Sequence, residues 1–297
     1  MSLPLRWLVL RARALPGVPD DGLIADALLA LGGRAVQLDG PWWVTHLAEA
    51  DVDTADAGSW RDRVAGYLPP GGVEVETEWQ EHGDWAELWK RGLEPRRITP
   101  RLIVTPSWCT PESRAGDLVI TLDPGMAFGN AEHGTTRGCL RLLDQVVRPG
   151  SRILDVGAGS AVLSIAAALM GATDVTAIEA DALAIPTAVE NVRDNGVEDR
   201  VRVIEASESA QGLAARGEHD GVVANIQRGI LESLLPGLAA AVRPGGWLIL
   251  SGVPADEWAQ MSSAAEGVGF SVRTVDEDGE WRSGLFDRAE QPATQKL

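Results

Sequence analysis

Residues 153–167 read ILDVGAGSAVLSIAA, and the reading of this stretch decides the fold. An apolar run ends in Asp155, the glycines Gly157 and Gly159 follow, and an alanine-rich, helix-like segment begins directly after them. A glycine turn between a strand and a helix lets the backbone approach a ligand, and the helix start supplies free N–H groups. The dinucleotide fingerprint asks for G-x-G-x-x-G/A. Here its third position is Val162, so that fingerprint fails and a nicotinamide oxidoreductase is disfavoured.

Outward from this turn, RILDV, DVTAIEA, RVRVIEA, DGVVANI and GWLILSGV are short apolar runs. Helix-like segments separate them, among them ALAIPTAVENVRDNG and RGILESLLPGLAAAV. Alternating β and α elements imply a parallel, doubly wound sheet. GFSVRTVDEDGEW and WRSGLFDRA then follow one another with no helix between, which predicts an antiparallel hairpin at one edge. Five parallel strands plus a terminal hairpin is the α/β architecture of class I methyltransferases. The chain also matches the methyltransferase loop form, acidic-x-Gly-x-Gly-x-Gly, at Asp155, Gly157 and Gly159, with Ala161 in place of the last glycine.

The cofactor of such a loop is S-adenosylmethionine, which has no pyrophosphate but carries a ribose diol. A diol needs a carboxylate acceptor at the tip of the second strand. Glu179 stands there, and Asp181, past the strand end, is the second choice. Upstream, LDPGMAFGNAEHGTTRGCLRLL (122–143) leads into a helix with Thr135 and Thr136 at its start, suited to capping that helix or to donating hydroxyls to a ligand. Downstream, Asn225 ends the fourth strand on the edge where such sheets bind ligands.

The first 80 residues follow another rule. LRWLVLRARA (5–14) has strand character, and PDDGLIADALLALGG (19–33) has helical spacing. RAVQLDG and PWWVTHLA flank an expected Asp39–Gly40 turn; TADAGSWRDRVAGYL (54–68) is helix-like, and VEVETEWQ (73–80) alternates as a strand does. The order βαββαβ predicts a ferredoxin-like α+β domain over residues 1–80. Twelve acidic against six basic residues, with no chemical constellation, make it an acidic recognition module. Residues 81–100 are expected to form a linker helix, with Trp85 and Trp89 on one face, and a connector. Residues 101–290 make the methyltransferase domain, and 291–297 a disordered tail.

The net charge of −17 repels nucleic-acid phosphates, so direct DNA or RNA binding is disfavoured and a basic partner is favoured. No apolar run approaches the roughly 18 residues of a bilayer-spanning helix. The two cysteines, Cys109 and Cys139, and four histidines give no metal or disulfide pattern and fit a reducing cytoplasm.

These motifs resemble a known family. LDPGMAFGNAEHGTT, the ILDVGAGSAVLSIAA loop, NVRDNGV, VVANIQRGIL, DWAELWKRGLEPRRITPRLIVTPSW and GEWRSGLFDR are similar to segments of the bacterial ribosomal protein L-eleven methyltransferases. The resemblance covers roughly residues 80 to 288. It implies a cytoplasmic, monomeric enzyme that methylates amino groups of that large-subunit ribosomal protein with S-adenosylmethionine. It also implies that the N-terminal domain grips the substrate while the linker reorients the catalytic domain. The cofactor residues carried over are Thr136, Gly157, Glu179, where the family commonly has Asp, and Asn225.

Two further departures are Ala131, where the family has glycine, and Ala161. If either position needs positive φ, alanine is strained there by about 1 kcal/mol. Asn225 precedes Ile-Gln rather than Pro-Pro-Tyr, which favours an amine acceptor over an adenine or glutamine amide. Asn225 suits orienting a neutral amine. His133 suits either accepting a proton or a structural hydrogen bond, and no general base follows from the sequence. The competing readings are a related methyltransferase for another lysine or a small amine, and a cofactor-binding pseudoenzyme.

Overall fold

The computed structural model describes residues 6–15, 23–33, 36–49, 52, 60–68, 72–81, 94–123, 127–129 and 131–290. The helix expected around Trp85 and Trp89 and the tail expected at 291–297 lie outside the described residues. The chain divides into two compact units, Met1–Gly92 and Leu93–Leu297.

The first unit runs β1 (Arg6–Ala14), α1 (Leu23–Ala30), β2 (Val36–Asp39), β3 (Trp42–Ala48), α2 (Trp60–Ala65) and β4 (Val73–Glu81). Its sheet has the order β2-β3-β1-β4 with every neighbouring pair antiparallel. Alternate β1 residues Leu8, Leu10 and Ala12 cluster with Ile24 and Leu28 of α1 and Val64 of α2, so the period-2 pattern sets which sheet face carries helices. The hairpin turn differs from the expected Asp39–Gly40. Asp39 still pairs with Trp42 in the ladder, so the two-residue turn is Gly40–Pro41, with Gly40 at φ +57°.

The second unit opens with a small sheet absent from the sequence reading: β5 (Arg96–Arg97), β6 (Leu102–Thr105) and β7 (Leu118–Thr121). Arg96 and Arg97, assigned to a connector by sequence, are thus a strand paired with β6. There follow α3 (Gly134–Val146), β8 (Arg152–Val156), α4 (Val162–Leu169), β9 (Asp174–Glu179), α5 (Ile185–Asp194), β10 (Val201–Glu205), α6 (Ala210–Ala215), β11 (His219–Asn225), α7 (Arg228–Ala241), β12 (Val242–Pro254), α8 (Trp258–Gly267), β13 (Phe270–Asp278) and β14 (Trp281–Arg288). The sheet order is β10-β9-β8-β11-β12-β14-β13. The first five are mutually parallel, and β14 is antiparallel to both β12 and β13. The expected five parallel strands and terminal hairpin are therefore present.

Successive residues of β8 enter opposite cores. Ile153 joins one cluster with α3, α4 and α5, while Leu154 and Val156 join the other with α7 and α8. Burial on both faces is why these strands read as continuous apolar runs. The order reverses beside β8, whose neighbours β9 and β11 lead to opposite edges. Such a switch point opens a crevice at the carboxyl ends of the strands. Among the described residues, no helix is long and apolar enough to cross a membrane.

Candidate active site

Three adjacent strands end level with one another at this switch point. Val156 pairs with Ile178 and with Ala224, so Gly157, Glu179 and Asn225 form the next row. Asn225 in turn pairs with Ser251 of β12, and the Ser251 hydroxyl donates to the Thr135 carbonyl at 3.3 Å. That bond brings the first turn of α3, with Thr135 and Thr136, to the same edge.

The glycine turn is as tight as the sequence suggests. Gly157 has φ +75°, and a Cβ there would lie 2.2 Å from Ile226 Cγ2. Gly159 has φ +53°, and its Cβ would lie 2.3 Å from the Phe128 carbonyl oxygen. Neither position accepts a side chain. Ala161 is the one non-glycine residue at positive φ among the described residues, at φ 64° and ψ 15° on the N-cap of α4. Ala131 has no such backbone, so its departure from glycine carries no backbone strain.

The strain at Ala161 is offset locally. A left-handed alanine costs about 1–2 kcal/mol, but its fully buried methyl packs in the core beneath the loop and contributes roughly 0.8 kcal/mol. Glycine would also lose more unfolded-state entropy, by about 0.4–1 kcal/mol. These terms cancel to within about 1 kcal/mol, so Ala161→Gly is expected to shift Tm by no more than about 3 °C. Affinity for the cofactor expected from the sequence, S-adenosylmethionine, read by calorimetry, should stay within about twofold, because the loop conformation is the same. A tenfold gain on restoring glycine would identify Ala161 as a lesion, as the pseudoenzyme reading requires.

Glu179 folds back over the turn. Its Oε2 accepts the Gly159 N–H at 2.7 Å, and its Oε1 accepts those of Ala180 and Asp181 at 2.8 and 2.9 Å. Asp181, the second choice for that role, is exposed and closes a local turn onto the Leu183 N–H.

Asp155 is fully buried and points to the α4 face, where its Oδ2 accepts the Ser164 hydroxyl at 2.7 Å. Burial pushes its carboxyl up to about 7; the nearby Glu179 charge pushes the same way, and the Ser164 bond opposes both. Among the described residues, three buried side-chain oxygens have no hydrogen-bond partner: Thr136 Oγ1, Asp155 Oδ1 and Asn225 Oδ1. Buried polar atoms are overwhelmingly paired in folded proteins. All three unpaired atoms belong to residues singled out from the sequence for a ligand.

His133 sits on the N-cap of α3 without capping it, and its Nδ1 shares a 2.7 Å hydrogen bond with Thr135 Oγ1. Neither threonine caps the helix, since Thr135 serves His133 and Thr136 is unpaired. The imidazole lies between the edge of Phe128, at 5.2 Å, and Trp281, at 4.9 Å. Partial burial, helped by Arg137, lowers its pKa, while Glu280 and Asp278 act the other way.

The sequence reading missed the groups that hold this arrangement. Arg137 donates to both oxygens of Asp278 at 2.9 and 2.6 Å and to the Ala131 carbonyl at 3.3 Å. Arg141 grips Asp276 bidentately and reaches Asp278. The Arg137 bond leads in drawing the Asp278 carboxyl down to about 2. The base of the His133 loop is thereby tied to β13. Asn191 donates to the Ser160 carbonyl at 2.9 Å, and Asn195 exchanges both its amide groups with Thr121 of β7. Asn191, inside α5, was the available signal, since asparagine is a poor helix former without such a task; Asn195 is the C-cap of the same helix.

A parallel sheet with this order, a glycine turn at its switch point and acceptors on the neighbouring strand ends define a class I methyltransferase. The family model described as ribosomal protein L11 methyltransferase (PrmA) matches residues 44–288. The chain belongs to that family. A ribosomal protein L11 methyltransferase from Pelotomaculum thermopropionicum is 36% identical over 307 residues, covering 93% of this chain and 97% of the relative. One from Streptococcus agalactiae is 39% identical over 233 residues, covering 77% of this chain and 73% of its own. The crystal structure of ribosomal protein L11 methylase from Lactobacillus delbrueckii subsp. bulgaricus aligns with TM-score 0.58 at 30% identity, covering 66% of this chain and 100% of that one.

Proposed function

We propose that this chain transfers methyl groups from S-adenosylmethionine to amino groups of ribosomal protein L11, acting as a monomer in the cytoplasm. The observation that carries the cofactor assignment is the set of three unpaired buried oxygens on Thr136, Asp155 and Asn225. They suit a ligand rich in hydroxyl and ammonium donors. Gly157 and Gly159 give it backbone access, and Glu179 supplies the diol acceptor on the adjacent strand end. When bound, S-adenosylmethionine supplies an electrophilic methyl on a sulfonium, open to in-line displacement by an amine.

The task left to the protein is alignment and desolvation. A lysine amine with reference pKa near ~10.4 must arrive neutral, and an entrance poor in water favours the neutral form. The Asn225 amide oxygen is an acceptor for an amine N–H, orienting the lone pair away from itself. His133, with its lowered pKa, is neutral at pH 7 and does not add a repelling charge. It is the candidate side chain to take up the proton. The N-terminal unit, with the element order and antiparallel sheet of a ferredoxin-like sandwich, is read as the module that receives the substrate. Its acidity matches a basic ribosomal protein.

Incubation of purified L11 with the protein and S-adenosylmethionine, followed by intact mass measurement, tests this directly. Mass increments of 14 Da units are expected only with both components present, at about ~10 s⁻¹ or slower. An L11 mass that does not change, together with S-adenosylmethionine binding, would move the assignment to another protein lysine or a small amine.

A further inference from the structure

We propose that Ser160 is a positioning residue that clamps the Phe128–Gly129 backbone onto the glycine turn and so sets the affinity for S-adenosylmethionine; this rests on the cofactor assignment above. Ser160 is nearly fully buried, at 4% exposure, and every polar group it owns is used within the protein. Its hydroxyl donates to the Gly129 carbonyl at 2.6 Å and its N–H to the Phe128 carbonyl at 2.8 Å. Its own carbonyl accepts the Asn191 amide at 2.9 Å, which anchors the clamp to α5. Ser160 therefore ties the turn to two segments, each about thirty positions away in sequence, that a simple turn residue would not contact.

Both partners of the clamp are built for close approach. Gly159 lets the Phe128 carbonyl come to where a Cβ would stand at 2.3 Å, and Gly129, at φ +104°, would place a Cβ 3.1 Å from Ser160 Oγ. Beyond the clamp, the Phe128 ring is 58% exposed and meets His133 edge-on. The hydroxyl is committed to Gly129, so the effect on a ligand is indirect. The clamp fixes the turn, whose Gly159 N–H is held by Glu179, in its binding shape before any ligand arrives. A preformed site avoids the ordering cost that a loose turn would charge against affinity. Removing one buried hydrogen bond of this kind is expected to change an equilibrium by about tenfold.

The test is Ser160→Ala in the full-length protein, with calorimetry for S-adenosylmethionine, steady-state methylation of L11, thermal melting, and hydrogen exchange by mass spectrometry. The variant is expected to bind S-adenosylmethionine about tenfold more weakly, with kcat at saturating cofactor within about twofold of wild type. Exchange in the peptide spanning 155–163 should accelerate, while Tm moves by less than about 3 °C. Gly129→Ala presses on the same contact and also strains the backbone at φ +104°, so its loss should be at least as large. Unchanged affinity in Ser160→Ala, or a lower kcat at unchanged affinity, would overturn the clamp while leaving the cofactor assignment intact. Failure of the wild-type protein to bind S-adenosylmethionine would overturn the assignment itself.

Discussion

Glu179→Ala is expected to weaken S-adenosylmethionine binding by about 100-fold or more, the largest loss of any single substitution at the binding edge. Two roles end together. The carboxylate is the acceptor proposed for the ribose hydroxyls, and it also accepts three backbone N–H groups, including Gly159 at 2.7 Å. Charge-assisted hydrogen bonds contribute about 1.5–3 kcal/mol each, and two lost at once exceed a factor of 100. Glu179→Gln keeps size and one acceptor, but its NH₂ competes with the N–H groups it faces, so an intermediate loss of about tenfold is expected. Glu179→Asp keeps the charge that the family commonly places here but is one methylene too short for the Gly159 bond; about fivefold is expected. Calorimetry on the three variants, with melting curves to confirm folding, gives the order. Retention of affinity within threefold in Glu179→Ala would remove Glu179 from the site.

The parts of this molecule legible in its sequence are those where one local pattern does one job. Strand β8, its glycine turn and α4 follow from a run of fifteen residues, and the apolar strands of the large sheet announce burial on both faces. The terminal hairpin follows from two adjacent strand patterns without a helix between them. Four-residue strands are harder: LIVT and LVIT of β6 and β7 are too short to separate from a buried turn, and their partner β5 is two arginines. The six-residue α6 is set by a single cap, the Ser209 hydroxyl accepting the Gly212 N–H.

At the candidate site, the residues on the strand ends and at the helix start were readable, because such positions are fixed by local pattern. The residues that brace them were not. Arg137 meets Asp278 across 141 positions, and Ser160 meets Gly129 across 31. Such pairings exist only once the sheet is assembled. Ala161 marks the intermediate case: the sequence showed the missing glycine, and only the backbone shows that this position, unlike Ala131, is left-handed.

Asn225→Ala is expected to lower kcat for L11 methylation by about 100-fold, the cost of misplacing a reacting group by roughly an ångström. The Asn225 amide oxygen is buried and unpaired at the end of β11, level with the glycine turn. An acceptor there constrains where an amine N–H points, and hence where its lone pair points. The pH dependence separates orientation from proton transfer. If Asn225 only orients, its loss lowers the rate at every pH and leaves the rising limb of the pH–rate profile in place. Asn225→Asp makes the sign explicit. A carboxylate beside the amine stabilises the ammonium, raises its pKa and demands a higher pH to free the lone pair, so the limb should move up by about one unit. His133, whose own pKa is lowered, should produce the opposite signature if it accepts the proton. His133→Gln would then flatten or displace the limb while Asn225→Ala does not. A limb that shifts in Asn225→Ala as well would mean that the amide governs protonation of the amine, and the orienting role assigned to it would fall.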